Sequence, residues 1–394
     1  MKLKRVRSDM NLKGKRVLVR IDANVPVKHG RALDGPHGRI AKAAVGLDWL
    51  LQRGARVIVM THLGRPNGRR LASGSVAPVA KRLSSLLKFK VKTTKGVTGK
   101  DVERAVERLQ DGELLLLENL RFDKREKEND ESFAKELAVL ADLYVDDAFG
   151  VAHRGHTSLV AITKELPSYA GPLLANEVTT LEKLDREIKH PFLLIIGGMK
   201  IETKLPVIRR FAGQVDHVLV GGALATTFFA AQQKQVGKSV HDEGAIHLAA
   251  KELMLLKEKM VLPVDVVVAK SLRADARHRV TDPDSVNADE RIMDVGPETI
   301  RQYQELIESA KTIVWNGPLG YCEIPVFCHA TQEIAKAIAD RTGKATTIVG
   351  GGDTGPALES LNLADKFTLL STGGGAMLQL LGGKPLPAVE ALRG

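Results

Sequence analysis

The sequence predicts an α/β fold of two lobes, each a parallel sheet flanked by helices, with a helix between them that can serve as a hinge. Short apolar runs alternate with stretches of helical periodicity along the whole chain, which is the signature of strands joined by crossover helices. Most of the runs are apolar at consecutive rather than alternate positions, as expected of parallel strands covered on both faces. Leu166-Pro-Ser-Tyr-Ala-Gly-Pro172 then interrupts regular structure with two prolines and a glycine, and 394 residues suit about two domains.

In the first half the expected strands are 17–22, 56–62, 113–119 and 143–149. In the second they are 192–197, 217–220, 265–269, 312–315, 346–349 and 368–371. Helical spacing is clear over 42–52, 78–87, 101–109 and 130–141, the last with Asp130 or Ser132 as its cap. It returns over 204–211, 243–259, 298–310 and 330–341, and 174–188 reads as one long helix after the Pro/Gly segment. The expected lobes are 1–167 and 173–379. The second opens with an interdomain helix at 173–190.

Charge is unevenly placed. The net charge is +11, with +13 on residues 1–165 and −2 on 166–394. A basic half facing a near-neutral half points to an anionic partner on the first, although a basic solvated surface gives the same count. Aromatic residues are only 4% and form no stacking cluster, and the arginines stand singly, which disfavours nucleic acid. No apolar window approaches the length of a membrane span, and the basic first residues lead into no apolar signal core; a soluble cytoplasmic protein is expected. Cys322 and Cys328 make no C-x-x-C pair. They read as structural or incidental, with one disulfide between them left open.

Glycines of the second half follow the expected strands: Gly197-Gly198, Gly221-Gly222, Gly317 and Gly320, Gly350-Gly351-Gly352, and Gly373-Gly374-Gly375. Loops at strand carboxyl ends are where open α/β sheets bind ligands, and glycine lets backbone N–H groups approach phosphate. One such loop is weak evidence, but five in succession favour a nucleotide site. The run Gly350–Gly355 fits G-x-G-x-x-G, but the next strand ends in Ser371-Thr372 with no acid, against a dinucleotide site. Gly237-Lys238-Ser239 lacks the leading glycine of a P-loop. Asp353 after three glycines suits Mg²⁺, or equally the N-cap of the following helix.

Basic residues of the first half also fall after strands: Arg20 with Asp22-Ala23-Asn24, His62-Leu-Gly-Arg65, Arg121, and His153-Arg154, with Arg39 opening a helix. The arginine fork matches phosphate and carboxylate oxygens, so several arginines converging from different strand ends suit one small, doubly anionic ligand. His153 and His156, lacking a third ligand nearby, make a poor metal site.

The sequence resembles the phosphoglycerate kinase family. The matching segments are Val19-Arg-Ile-Asp-Ala-Asn-Val-Pro26, Thr61-His-Leu-Gly-Arg-Pro66, Glu118-Asn-Leu-Arg-Phe122, Asp146-Asp-Ala-Phe-Gly150 and Ala152-His-Arg154. They continue with Ile196-Gly-Gly-Met-Lys200, Val314-Trp-Asn-Gly-Pro-Leu-Gly320, Gly350-Gly-Gly-Asp-Thr354 and Ser371-Thr-Gly-Gly-Gly-Ala376. The resemblance spans essentially the whole chain. It implies two Rossmann-like lobes and the transfer 1,3-bisphosphoglycerate + ADP ⇌ 3-phosphoglycerate + ATP, with Mg²⁺, hinge closure, a monomer, and no nucleic acid or membrane partner. By resemblance, Asp22 and Asn24 hold the hydroxyl and carboxyl end of the glycerate, and His62, Arg65, Arg121 and Arg154 hold its phosphate. Arg39 and Lys200 flank the transferring phosphoryl group, and Gly373, Gly374 and Gly375 offer it N–H groups. Lys204, Asn316, Gly351, Gly352, Asp353 and Thr354 serve the nucleotide phosphates and the metal. Glu323 takes the ribose, Gly221 and Gly222 line the adenine slot, and the tail 380–394 packs on the first lobe. The chain departs from the family pattern at Gly35-Pro-His-Gly38, at Gly46, at Thr203, and at Arg291-Ile-Met293.

Overall fold

The computed structural model describes residues 2–351 and 354–394. The chain forms two compact units, 1–180 together with 385–394, and 181–384.

The first unit is built on six parallel strands: Arg16–Ile21 (β1), Arg56–Met60 (β2), Lys92–Thr93 (β3), Leu114–Leu116 (β4), Leu143–Asp147 (β5) and Ser168–Ala170 (β6). Their order is β3-β4-β2-β1-β5-β6. The continuous apolar runs have a direct cause. Successive side chains leave opposite faces of a strand, and both faces here are covered. Val17, Val19, Val57, Val59, Leu114, Leu116 and Val145 pack with Leu47, Leu50 and Leu83. Their neighbours Leu18, Ile58, Met60, Leu115 and Tyr144 pack with Val106, Phe133 and Leu137. The C-terminal segment belongs to this unit: Ala388 N–H donates to Ala152 O, Lys4 N–H donates to Leu392 O, and Leu3 bridges Arg393.

The second unit has Phe192–Ile196 (β7), His217–Val220 (β8), Met260–Val261 (β9), an antiparallel trio Val266–Ala269 (β10), His278–Thr281 (β11) and Arg291–Val295 (β12), then Thr312–Asn316 (β13), Thr346–Gly350 (β14) and Leu369–Ser371 (β15). The parallel sheet runs β9-β8-β7-β13-β14-β15. Its direction of growth reverses between β7 and β13, where an open α/β sheet forms its ligand crevice. Leu193, Ile195, Ile313, Trp315 and Val349 pack here against Ile300, Tyr303 and Ile334.

Some expected elements are redrawn. The interdomain helix is Pro172–Leu184 and does not reach residue 188 or 190; beyond it Asp185 turns aside to pair with Arg210. Asp130 is the cap of Glu131–Ala138, accepting from Phe133 N at 2.8 Å, while Ser132 donates to Asp130. The trio β10–β12 contains two strands absent from the sequence expectation, β11 and β12; β11, His-Arg-Val-Thr, has no buried position to produce a pattern, and β12 is buried only at Met293, Asp294 and Val295. No described helix is long and apolar enough to cross a membrane.

Candidate active site

In the first unit, the loops after β1, β2, β4 and β5 converge. Thr61 Oγ1 donates to Ile21 O at 3.0 Å and accepts from Ala23 N at 3.1 Å, tying the ends of β1 and β2 together. Asn24 Oδ1 accepts from Gly64 N at 2.9 Å. Arg39 lies 3.1 Å from Asp22 Oδ2 and donates to Asn24 O at 3.0 Å. The Gly35–Gly38 departure does not leave the Arg39 helix uncapped: Asp34 accepts from Ile40 N and Ala41 N at 2.9 and 3.0 Å.

Arg121 is held by the motif before it. Glu118 accepts from Val76 N, and Asn119 donates to Leu63 O and Gly74 O while accepting from Arg121 N. Arg121 then donates to Gly64 O at 2.6 Å, yet its Nε and one terminal nitrogen are buried without a partner. Burial, then Arg154 and Arg20, push its pKa down to about 10. Arg154 is lowered as well, by burial first; Asp22 opposes this, and Arg65, Arg20 and Arg39 are close enough for their charges to add to it. The expected residues Asp22, Asn24, Arg39, His62, Arg65, Arg121 and Arg154 are therefore brought into one cluster.

His62 is fully buried. Burial, then Arg20, Arg121 and Arg154, hold its pKa well below the ordinary imidazole value, so it is neutral at pH 7. Arg20 donates to its Nδ1 at 2.9 Å, since a guanidinium can only donate. The ring proton therefore sits on Nε2, which is buried with no partner. Behind it Arg20 Nε donates to Ser158 Oγ at 3.0 Å, and Ser158 Oγ donates to the buried Glu126 at 2.6 Å. Arg20 is among the strand-end arginines read from the sequence, whereas its partners Ser158 and Glu126 are not. The available signal was a charged residue inside the apolar run of β1, since a buried charge must be paired. Unsatisfied buried donors cost about 1–3 kcal/mol each, and a ligand bearing several anionic oxygens removes that cost.

In the second unit, the backbones of three strand-end loops touch. Gly197 N donates to Asn316 O, Gly198 N to Pro318 O and Gly222 N to Leu319 O, at 2.7–2.9 Å. Gly317 has φ +90°, and a Cβ there would lie 2.6 Å from the Gly197 backbone, so only glycine fits. Asn316 Nδ2 donates to Gly350 O at 2.9 Å, bringing in the β14 loop. Lys204 is nearly buried, with Nζ beside Gly198. The buried Thr354 hydroxyl lies next to Gly351 and has no partner. Gly373 caps the Gly374–Leu381 helix, in which Gly374 and Gly375 form the first turn. Lys200 is exposed, and Thr203 donates to Lys200 O, so this departure from the pattern is a local turn contact. Gly352 and Asp353 lie outside the described residues.

Beside these loops is a pocket of about 350 Å³ lined by Gly222, Ile292, Met293, Leu319, Tyr321 and Glu323. Gly221 stands behind the wall, against Leu319. The Arg291–Met293 departure thus lines the pocket itself. Asp294 closes it, accepting from Val295 N and Ala330 N at 2.9 and 3.1 Å. Burial pushes its pKa up to about 7, against about 3.9 in an unfolded chain. The folded state therefore binds this proton more tightly. Its stabilising contribution is complete below about pH 4 and is lost as pH rises through about 7. Asp294→Asn should flatten the pH dependence of urea unfolding across that range, and an unchanged slope would remove Asp294 from the response.

Set against known proteins, this geometry has a family. A family model described as phosphoglycerate kinase matches residues 7–384. The chain belongs to the phosphoglycerate kinase family. A phosphoglycerate kinase of Moorella thermoacetica is 46% identical over 387 residues, 98% of both chains. One of Dictyoglomus turgidum is 44% identical over 388 residues, 98% of this chain and 97% of the relative. Among solved structures, phosphoglycerate kinase of Coxiella burnetii aligns with TM-score 0.80 at 40% identity, covering 98% of this chain and 97% of its own. That of Pyrococcus horikoshii OT3 aligns with TM-score 0.88 at 30% identity, covering 99% and 98%. The phosphoglycerate kinase family thus accounts for both lobes and not for one of them alone.

Proposed function

We propose that the chain catalyses 1,3-bisphosphoglycerate + ADP ⇌ 3-phosphoglycerate + ATP, as a phosphotransferase with a carboxyl group as acceptor. The observation that carries this is the set of buried, unpartnered donors on Arg121 and His62 inside a cluster of arginines. That is a receptor for a small ligand with several anionic oxygens. Arg65, Arg121, Arg154 and the Nε2–H of His62 take the phosphate of the glycerate, and Asp22, Asn24 and Arg39 take its hydroxyl and carboxyl end. The second unit takes ATP or ADP. The apolar pocket receives the base between Gly222 and Leu319, with Gly221 behind it, and Glu323 receives the ribose hydroxyls. Lys204, Asn316, Gly351, Gly352 and Thr354 serve the phosphates.

The acceptor is a carboxylate, ionised at neutral pH, so no general base is needed. The buried histidine is accordingly neutral and donating. What remains is in-line positioning and neutralisation of spread charge. Arg39, Lys200 and the N–H groups of Gly373, Gly374 and Gly375 supply these. We assign Mg²⁺ to Asp353, with the unpartnered Thr354 hydroxyl as the neighbouring polar group; when bound, the ion would offset the nucleotide phosphate charge. Closure about the interdomain helix would bring the two ligands together and exclude water. A monomer in the cytoplasm belongs to the same proposal and rests on the family.

Arg65→Ala tests the division of labour. It should weaken 3-phosphoglycerate about tenfold, the scale of one charge-assisted contact, and leave ATP affinity unchanged in calorimetric titrations. Equal losses for both ligands would contradict the assignment of the glycerate to the first unit.

A further inference from the structure

The two cysteines are bonded to each other, and no cysteine is left free among the described residues. Their bond encloses the segment carrying Glu323, and Tyr321 and Glu323, the neighbours of Cys322 on either side, line the apolar pocket. Within it Ile324 and Phe327 are anchored in a small apolar cluster with Ala269 and Met293, and Phe327 is fully buried. Cys322 N donates to Gly320 O and Tyr321 N to Met293 O, so the segment also continues directly from the glycine loop after β13. Glu323 itself is exposed, and among the described residues no side chain or backbone group bonds its carboxylate. Its placement therefore depends on the backbone, which is anchored by Phe327 on one side and by the disulfide on the other.

We propose that Cys322–Cys328 is a thiol–disulfide redox site that sets nucleotide affinity, its bonded form holding Glu323 in place for the ribose. This rests on the reading of Glu323 given above. The two sulfurs are not equivalent. Cys322 is partly exposed, whereas Cys328 is buried and forms the N-cap of the eleven-residue His329–Ala339 helix. A thiolate there gains from the positive end of the helix and makes the better leaving group. A thiolate of a dithiol reductant attacks Cys322 Sγ and forms a mixed disulfide, and Cys328 leaves as a thiolate that takes up a proton. The reductant's second thiol then displaces Cys322 Sγ, which is released as the second thiol. Two electrons pass to the protein, and the reductant ends as a disulfide. Reduction frees the backbone around Glu323 while leaving the arginine cluster of the first unit untouched.

The test uses the full chain with dithiothreitol as the dithiol. Alkylation and mass spectrometry should find no reactive thiol before treatment and two after it. ADP, titrated with Mg²⁺ present, should bind about three- to tenfold more weakly to the reduced protein, the scale of one long side chain that must be re-immobilised on binding. The affinity for 3-phosphoglycerate should not change. The double variant Cys322→Ser, Cys328→Ser should match the reduced protein and ignore dithiothreitol. Two reactive thiols before treatment, or equal ADP affinity in both states, would overturn the redox site. Glu323→Gln separates this from the site reading. If it weakens ADP in the bonded protein while redox state has no effect, the redox site alone fails. If it leaves ADP affinity unchanged, the ribose assignment fails and the inference falls with it.

Discussion

Lys200→Ala is expected to lower kcat about 10²- to 10³-fold, the usual loss when one preorganised charge is removed from a transferring group. Lys200 stands in the loop after β7, at the point where the second sheet reverses direction, and it is exposed. Loops at that point present their groups to a bound ligand. Lys200 belongs to the second unit and the arginine cluster to the first, so 3-phosphoglycerate affinity should stay at the wild-type value. The contrast between kcat and affinity is the informative part. A lysine that merely attracts anions would change affinity and leave turnover intact. Steady-state kinetics alongside calorimetric titration would distinguish the two, and unchanged turnover would remove Lys200 from the mechanism.

The second large effect belongs to Arg121→Met. Methionine keeps much of the apolar stem and removes the fork. Truncating one partner of a buried charge pair costs about 2–5 kcal/mol, roughly thirtyfold or more in affinity. The unliganded protein should respond in the opposite sense. Arg121 has its pKa pushed down to about 10 by burial first and then by Arg154 and Arg20, so its charge is poorly accommodated without an anion. The variant should melt no lower than the wild type, yet gain much less stability from saturating 3-phosphoglycerate. Full ligand stabilisation in the variant would show that the buried donors are not the binding site.

Much of the fold was legible because burial on both faces leaves a plain mark. Strands such as Arg16–Ile21 and Phe192–Ile196 read as apolar runs because both of their faces are buried, in Arg16–Ile21 against two different core clusters. The two- and three-residue strands Lys92–Thr93 and Ser168–Ala170 are too short to show a period. His278–Thr281 shows no apolar period because it is an outer strand of a small antiparallel sheet with no buried position. The helix end at Leu184 depends on Asp185 meeting Arg210, a contact between residues 25 apart that local periodicity does not encode.

At the site, the arginines were legible as a set because they recur after strands. The network behind them was not. Ser158 and Glu126 act through Arg20 on His62, and only the folded chain shows which His62 nitrogen is left to donate. By sequence His153 reads as a strand-end basic group beside Arg154, and the pair His153 and His156 as a poor metal site. The structure places His156 among the charges of Arg121, Arg154 and Arg20, with burial first and then those charges pushing its pKa down to about 4, and His153 beside Arg154 and Asp22.

The most direct test of the account is turnover itself. Purified protein would be given 3-phosphoglycerate and Mg-ATP, with glyceraldehyde-3-phosphate dehydrogenase and NADH reporting the acyl phosphate and Lys200→Ala as the control. The expected result is NADH loss that requires the wild-type chain, the glycerate and Mg²⁺ together. No turnover from folded protein that binds both ligands would contradict it.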